Sequence, residues 1–122
     1  MEGSRLALVV AVDQYDDPAL RDLTAPAADA SALAEVLADP ALGNFSVETL
    51  YNETTAGLAE RLEGFLSELR PADFALLHFS CHGLKDESGE LYLAARNTKI
   101  TRLASTGVEA ALIDRLFRRS RA

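Results

Sequence analysis

The sequence predicts an α/β fold with a mostly parallel β-sheet, and three observations carry that prediction. The runs Arg5 to Val12 and Phe74 to Phe79 are apolar on both alternating faces, the pattern of strands covered by helices on both sides. Two segments, at about 25–38 and 55–69, repeat apolar residues at spacings of three and four, as amphipathic helices do. The order strand, helix, strand, helix, strand implies parallel strands joined by right-handed crossovers.

Taken in order, Arg5 to Val12 is a short apolar run stopped by Asp13 and reads as a central strand. An acidic loop follows, with Asp13, Asp16, Asp17 and Asp22 around Tyr15, Pro18 and one base, Arg21. Thr24 is placed to cap the first helix, Pro26 is tolerated in its first turn, and Asp39-Pro40 stops it; Ala28, Leu33, Val36 and Leu37 give it an apolar face. Phe45 to Tyr51 alternates before ending in Leu-Tyr, which suits a strand nearer an edge. The second helix carries Leu58, Leu62, Phe65, Leu66 and Leu69 on one stripe and ends at Arg70-Pro71. After the third strand, Lys85 to Gly89 is turn-like and Glu90 to Ala94 resumes as a short strand, predicting a small hairpin. Thr106-Gly107-Val108-Glu109 has the form of a capping box opening a third helix, with Val108, Leu112 and Leu116 on one stripe and arginines 115, 118, 119 and 121 gathered at its carboxyl end. A fourth parallel strand would be expected next, so the chain reads as a fold cut short before it.

A chain of 122 residues, 48% hydrophobic, fits a single globular domain. Its formal net charge of -7 argues against binding a nucleic-acid backbone, which needs clustered lysine and arginine. No secretory leader is visible, and no apolar run approaches the ~18 residues that cross a bilayer. A single cysteine excludes an internal disulfide and a multi-thiolate metal site and suits a reducing compartment, so the expected location is cytoplasmic, away from membranes. The turns after Val12 and Tyr51 lack a glycine-rich phosphate cradle, and no cofactor is expected.

The chemistry concentrates at His78-Phe79-Ser80-Cys81-His82-Gly83, where the third strand gives way to polar residues. Ligands bind at the carboxyl ends of parallel strands, so His82 stands where a working residue belongs, and Gly83 permits a turn. Cys81 and His82 do not make a dyad by themselves: neighbouring strand residues point to opposite faces, beyond the ~3 Å of proton transfer. Cys81 reads as a small buried hydrophobe and His78 as a core histidine with one hydrogen bond. In a strand His78 and His82 lie ~13 Å apart, too far to share a zinc ion.

His78 to Gly83, followed by Asp86, Gly89 and Leu91-Tyr92-Leu93-Ala94, resembles the histidine motif of caspase-like and metacaspase-like cysteine peptidases, particularly their bacterial members. The start Ala-Leu-Val-Val-Ala-Val-Asp-Gln-Tyr resembles the family's first strand and loop, and Asp29 with Leu33 and Leu37 its aspartate-containing first helix. The resemblance implies a caspase-like three-layer sandwich over 1–122, truncated before the strand that carries the nucleophile. It implies that His82 is the acid/base, that the Gly83 amide is an oxyanion donor, and that a cysteine beyond residue 122 attacks a peptide or protein substrate once the remainder of the peptidase domain is present. Cys81 stands where bacterial members often have glycine, and Asn97 where relatives often have aspartate. The position resembling the caspase pocket arginine falls at about Leu23, which implies cleavage after Arg or Lys with Asp13 or Asp22 as substrate-binding carboxylates. The competing expectations are a non-catalytic interaction or regulatory module on the same fold, and a small-ligand-binding α/β domain.

Overall fold

The computed structural model describes residues 3–23 and 25–122. Strand β1 (Arg5–Ala11) leads to helix α1 (Pro26–Ala38), β2 (Ser46–Tyr51), α2 (Thr55–Ser67) and β3 (Phe74–Ser80). A hairpin of β4 (Gly83–Lys85) and β5 (Leu91–Leu93) follows, then a 3-10 turn at Ile100–Arg102, a short helix α3 (Leu103–Thr106), β6 (Val108–Glu109) and α4 (Ala110–Arg119). The first three strands form a parallel sheet in the order β2-β1-β3, and the last three a small antiparallel sheet in the order β4-β5-β6.

Strand β1 is the centre of the molecule. Residues 7 to 12 are at most 1% exposed, and alternation sends them into two cores. Ala7, Val9 and Ala11 meet Ala30, Leu37 and Phe45 under α1; small residues on both partners let that helix approach closely. Leu8 and Val10 meet Leu50, Leu58, Leu62 and Val108 on the other face, with Ile113 and Leu116 of α4 packed against them. Helix, sheet and helices therefore make the three layers the sequence predicts. Full burial of each such Val or Leu contributes about 1.5–3 kcal/mol, and most of that gain surrounds one strand.

Several expectations are corrected. The apolar run of β3 does not mark a strand covered on both sides: every residue from Ala75 to Ser80 is only partly buried and Phe74 is 58% exposed, because β3 lies at the sheet edge and β1 takes the central place. Thr24, the expected cap of α1, lies outside the described residues; Ala25 occupies the cap position without a side-chain bond. The buried stripe of α1 is Pro26, Ala30 and Leu37 with Leu33, while Ala28 is exposed and Val36 is 51% exposed, a rotation that brings the small Ala30 onto the small residues of β1.

The capping box at Thr106–Glu109 is not formed. Thr106 closes α3 instead: its hydroxyl donates to the Arg102 carbonyl at 2.6 Å and accepts the Lys99 N–H at 2.9 Å. Its carbonyl accepts from the hydroxyls of Thr98 and Thr55. Val108, 2% exposed in the α2-side core, is drawn into β6 opposite Leu93, and α4 starts only at Ala110. Burial of one valine and two ladder pairs outweighs a cap worth about 1 kcal/mol.

Helix α2 follows its sequence signals closely. Thr54 caps it by accepting the Gly57 N–H, and Leu58, Leu62 and Leu66 are buried. Beyond it, the Asp73 carboxylate gathers the N–H groups of Ser4 (2.9 Å) and Arg70 (2.8 Å) and the Arg70 guanidinium, tying the starts of β1 and β3 together. These donors hold its carboxyl down at about 2, the Ser4 amide contributing most. A group depressed in the folded state stabilises above its ordinary value near 3.8 and loses that contribution as pH falls towards 2. Asp73→Asn turns an NH2 on donors that need an acceptor. Its melting temperature should therefore fall furthest below that of the parent above pH 4, with the gap closing towards pH 2; thermal unfolding across that range checks this. No helix among the described residues is long and apolar enough to cross a membrane.

Candidate active site

Strands β1 and β3 end together, the Val12 N–H bonding the Ser80 carbonyl at 2.9 Å. From there one loop, 13–23, arches over the carboxyl edge of the sheet and is closed at its base by the Leu23 N–H on the Asp13 carbonyl (2.9 Å). Asn52, at the end of β2, fastens it from the side: its side-chain oxygen accepts the N–H of Asp13 (3.0 Å) and of Gln14 (3.1 Å), and its amide donates to the Asp13 carboxylate (3.0 Å). Asn52 has φ 55, a left-handed conformation that asparagine tolerates better than most residues. Asp22 accepts the Tyr15 N–H at 3.0 Å. Asp17 accepts the N–H groups of Ile100 and Ala19, both at 2.9 Å; these amides, Ile100 first, hold its carboxyl below the usual range.

His82 stands under this loop. Its main-chain N–H is accepted by the Tyr15 hydroxyl at 3.0 Å, its carbonyl accepts the Ala94 N–H at 2.9 Å, and its Nε2 lies 2.8 Å from the Arg21 carbonyl. A carbonyl can only accept. Nε2 must therefore carry the hydrogen, which leaves the lone pair of the neutral ring on Nδ1. In its neutral form the ring therefore presents its acceptor at one defined atom.

The parity of the hairpin fixes the next residue. Ala94 N–H to His82 carbonyl and Asp86 N–H to Glu90 carbonyl mark the hydrogen-bonded pairs, and these alternate along an antiparallel ladder with pairs that do not bond. Gly83 opposite Leu93 falls on a non-bonded pair, so its N–H points away from β5, on the exposed side of the chain.

Cys81 is partly buried, and burial pushes its thiol up to about 11 despite an opposing contribution from the Ala94 amide. A thiol held there is a poor source of thiolate. His78 lies two residues before Ser80 with its Nε2 2.9 Å from the Ser80 hydroxyl, the single satisfied bond the sequence suggests.

Beside Ser80 and Cys81 opens a cavity of about 290 Å³, lined also by Leu23, Ala25, Pro26 and Asp29. Asp29, exposed in the first turn of α1, brings a carboxylate to it. Asp13 and Asp22 do not line it: their carboxylates serve the loop, one on Asn52 and one on Tyr15. Asp29 and Tyr15 enter the sequence reading only as parts of the matched stretches, with no role assigned, and the Arg21 carbonyl does not enter it at all. Asp29 had a signal, being one helical turn past the end of the loop; a main-chain carbonyl has none. Asn97 accepts the N–H of Thr55 (2.8 Å) at the start of α2, a task for one acceptor oxygen that an amide performs as well as a carboxylate. A roomier cavity of about 670 Å³ lies at the amino ends of the strands, away from His82, and its charges are largely paired, Glu48 with Arg61 and Arg70 with Asp73.

A histidine oriented at the carboxyl edge of a parallel sheet, beside an outward glycine amide, gives an α/β domain whose polar groups gather at the strand ends. A family model for the caspase domain matches residues 4–118, nearly the whole chain, and the protein belongs to that family of cysteine peptidases. Among curated proteins none matches the sequence.

Proposed function

We propose that this chain is the histidine-bearing part of a caspase-like cysteine endopeptidase acting on peptides or proteins, with His82 as acid/base and Gly83 as an oxyanion donor. One observation carries the reading: Nε2 of His82 is committed to the Arg21 carbonyl, so the free lone pair is on Nδ1. The thiolate comes from a segment that pairs with β3, whose edge away from β1 bonds to no strand among the described residues. The thiol gives its proton to Nδ1 and attacks the peptide carbonyl carbon. The oxygen that becomes negative accepts the Gly83 N–H, an interaction worth ~3 kcal/mol in such sites. The imidazolium, steadied by the Arg21 carbonyl, then protonates the leaving amine, and water releases the acyl group from sulfur with His82 again as base. Such thiolate chemistry suits a reducing cytoplasm.

Asp29 makes the neighbouring cavity a site for a basic side chain, so the bond cut follows Arg or Lys. The experiment is covalent labelling of the domain, assembled with the segment completing its sheet, by a peptidyl acyloxymethyl ketone bearing Arg. Mass spectrometry should find the thioether on a cysteine other than Cys81. Label on Cys81 would reverse the roles assigned here, and no label on a folded assembly would favour the non-catalytic module.

A further inference from the structure

Tyr15 has no part in the chemistry just described, yet it touches His82 twice. Its hydroxyl accepts the His82 N–H at 3.0 Å while donating to the Val12 carbonyl at 2.9 Å, and its ring centroid lies 4.9 Å from that of the imidazole at a tilt of 47°. We infer that Tyr15 is the positioning residue of His82, fastening its main chain to the end of β1 and backing its ring so that Nε2 stays on the Arg21 carbonyl. The inference rests on the reading of His82 as the base and adds the group that aims it.

The hairpin ladder carries the argument. Residues 82 and 94 face each other at a hydrogen-bonded position, where both N–H groups would ordinarily bond across. Only one does: Ala94 donates to His82, while the His82 N–H is diverted to the phenol. A complete pair would hold His82 in the plane of the β4–β5 ladder, with its side chain standing on that small sheet. The diversion turns the residue towards β1 and under loop 13–23, where the Arg21 carbonyl waits. Both outside partners of His82 thus belong to one loop, and that loop is closed by Leu23 on Asp13 and braced by Asp22 on the Tyr15 N–H. Burial pushes the Tyr15 hydroxyl up to about 12, so it remains protonated and able to serve both bonds at any pH where a peptidase works. Phenylalanine would keep the ring and orphan the amide.

The sequence holds only two histidines, so labelled imidazoles of the 122-residue chain can be followed separately by NMR. In the parent the neutral His82 ring should be the Nε2–H tautomer in one rotamer. Tyr15→Phe should mix tautomers and rotamers at His82 and leave His78 unchanged. In the assembled peptidase the same substitution should lower kcat by about 10²-fold with KM changed by less than about twofold, the mark of a misplaced catalytic group. A folded Tyr15→Phe protein whose His82 tautomer and rotamer match the parent's overturns the inference. An inert parent whose His82 still responds overturns the peptidase reading and leaves the positioning intact. If Tyr15→Phe does not fold, 3,5-difluorotyrosine at position 15, a weaker acceptor of nearly the same shape, decides: it should speed hydrogen exchange at the His82 amide, and unchanged exchange overturns the inference.

Discussion

His82→Ala is expected to lower kcat/KM of the assembled peptidase by about 10³-fold, within the 10²–10⁴ that a positioned acid/base supplies. The fold should survive. Alanine retains the main-chain bonds of residue 82 to Tyr15 and Ala94, and only the Nε2 bond to Arg21 and the ring contact disappear, a loss of about 1 kcal/mol. His82→Gln separates holding from proton transfer, since its amide can still donate to the Arg21 carbonyl but has no basic nitrogen. Both variants should be equally inactive, with melting temperatures close to the parent's. His78→Ala is the contrast: it removes a bond to Ser80 inside the α1 face of β3 and should act on stability. Steady-state kinetics beside thermal unfolding checks the set, and a His82→Gln enzyme retaining a tenth or more of the parent's turnover would remove His82 from the chemistry.

How much of this was legible beforehand depends on which physical effect decided each element. Periodicity found β1, α1, β2, α2 and β3 because each is made by an apolar pattern large enough to dominate its surroundings. It could not rank β1 above β3, since both runs are apolar on two faces and only the chain order β2-β1-β3 determines which one helices cover. Thr106 to Glu109 failed for a different reason: the local pattern of a capping box was overruled by Leu93 and the α2-side core, partners remote in sequence. At the candidate site, His82 and Gly83 stand out in the sequence because their residue types are unusual at the end of an apolar strand. Tyr15 was legible as an aromatic in an acidic loop and as the end of the stretch resembling the family's first strand and loop, and Arg21 only as a charge; the carbonyl that orients His82 belongs to a residue whose side chain is turned to solvent. Of the loop carboxylates, Asp13 accepts from Asn52, Asp17 from Ile100 and Ala19, and Asp22 from Tyr15, while the carboxylate beside the cavity sits on a helix.

That difference makes Asp29 the second position with a large expected effect. A substrate guanidinium entering the cavity of Leu23, Pro26, Ser80 and Cys81 would find Asp29 as its counter-charge, a charge-assisted pair in a partly desolvated space. Truncating one member of such a pair costs about 2–5 kcal/mol when buried, and the exposure of Asp29 puts the expectation at the lower end, about 30-fold in kcat/KM for substrates with Arg before the cut. Asp29 also lies in the first turn of α1, where a carboxylate favours the helix by about 0.3–1 kcal/mol, so some loss of stability is expected from either role. The ratio between substrates separates them. Asp29→Ala should reduce cleavage after Arg far more than cleavage after a neutral residue, whereas a purely helical role would lower both alike. Asp22→Ala should do the opposite of Asp29→Ala: by freeing the Tyr15 N–H it loosens the loop that holds His82 and depresses all substrates together, with the Arg preference intact. A peptide library profiled with the parent and the two variants reads this directly. Preferential cleavage after Asp or Glu by the parent would overturn the basic preference itself, and an Arg preference that survives Asp29→Ala and vanishes with Asp22→Ala would move the recognition of the substrate back to the loop.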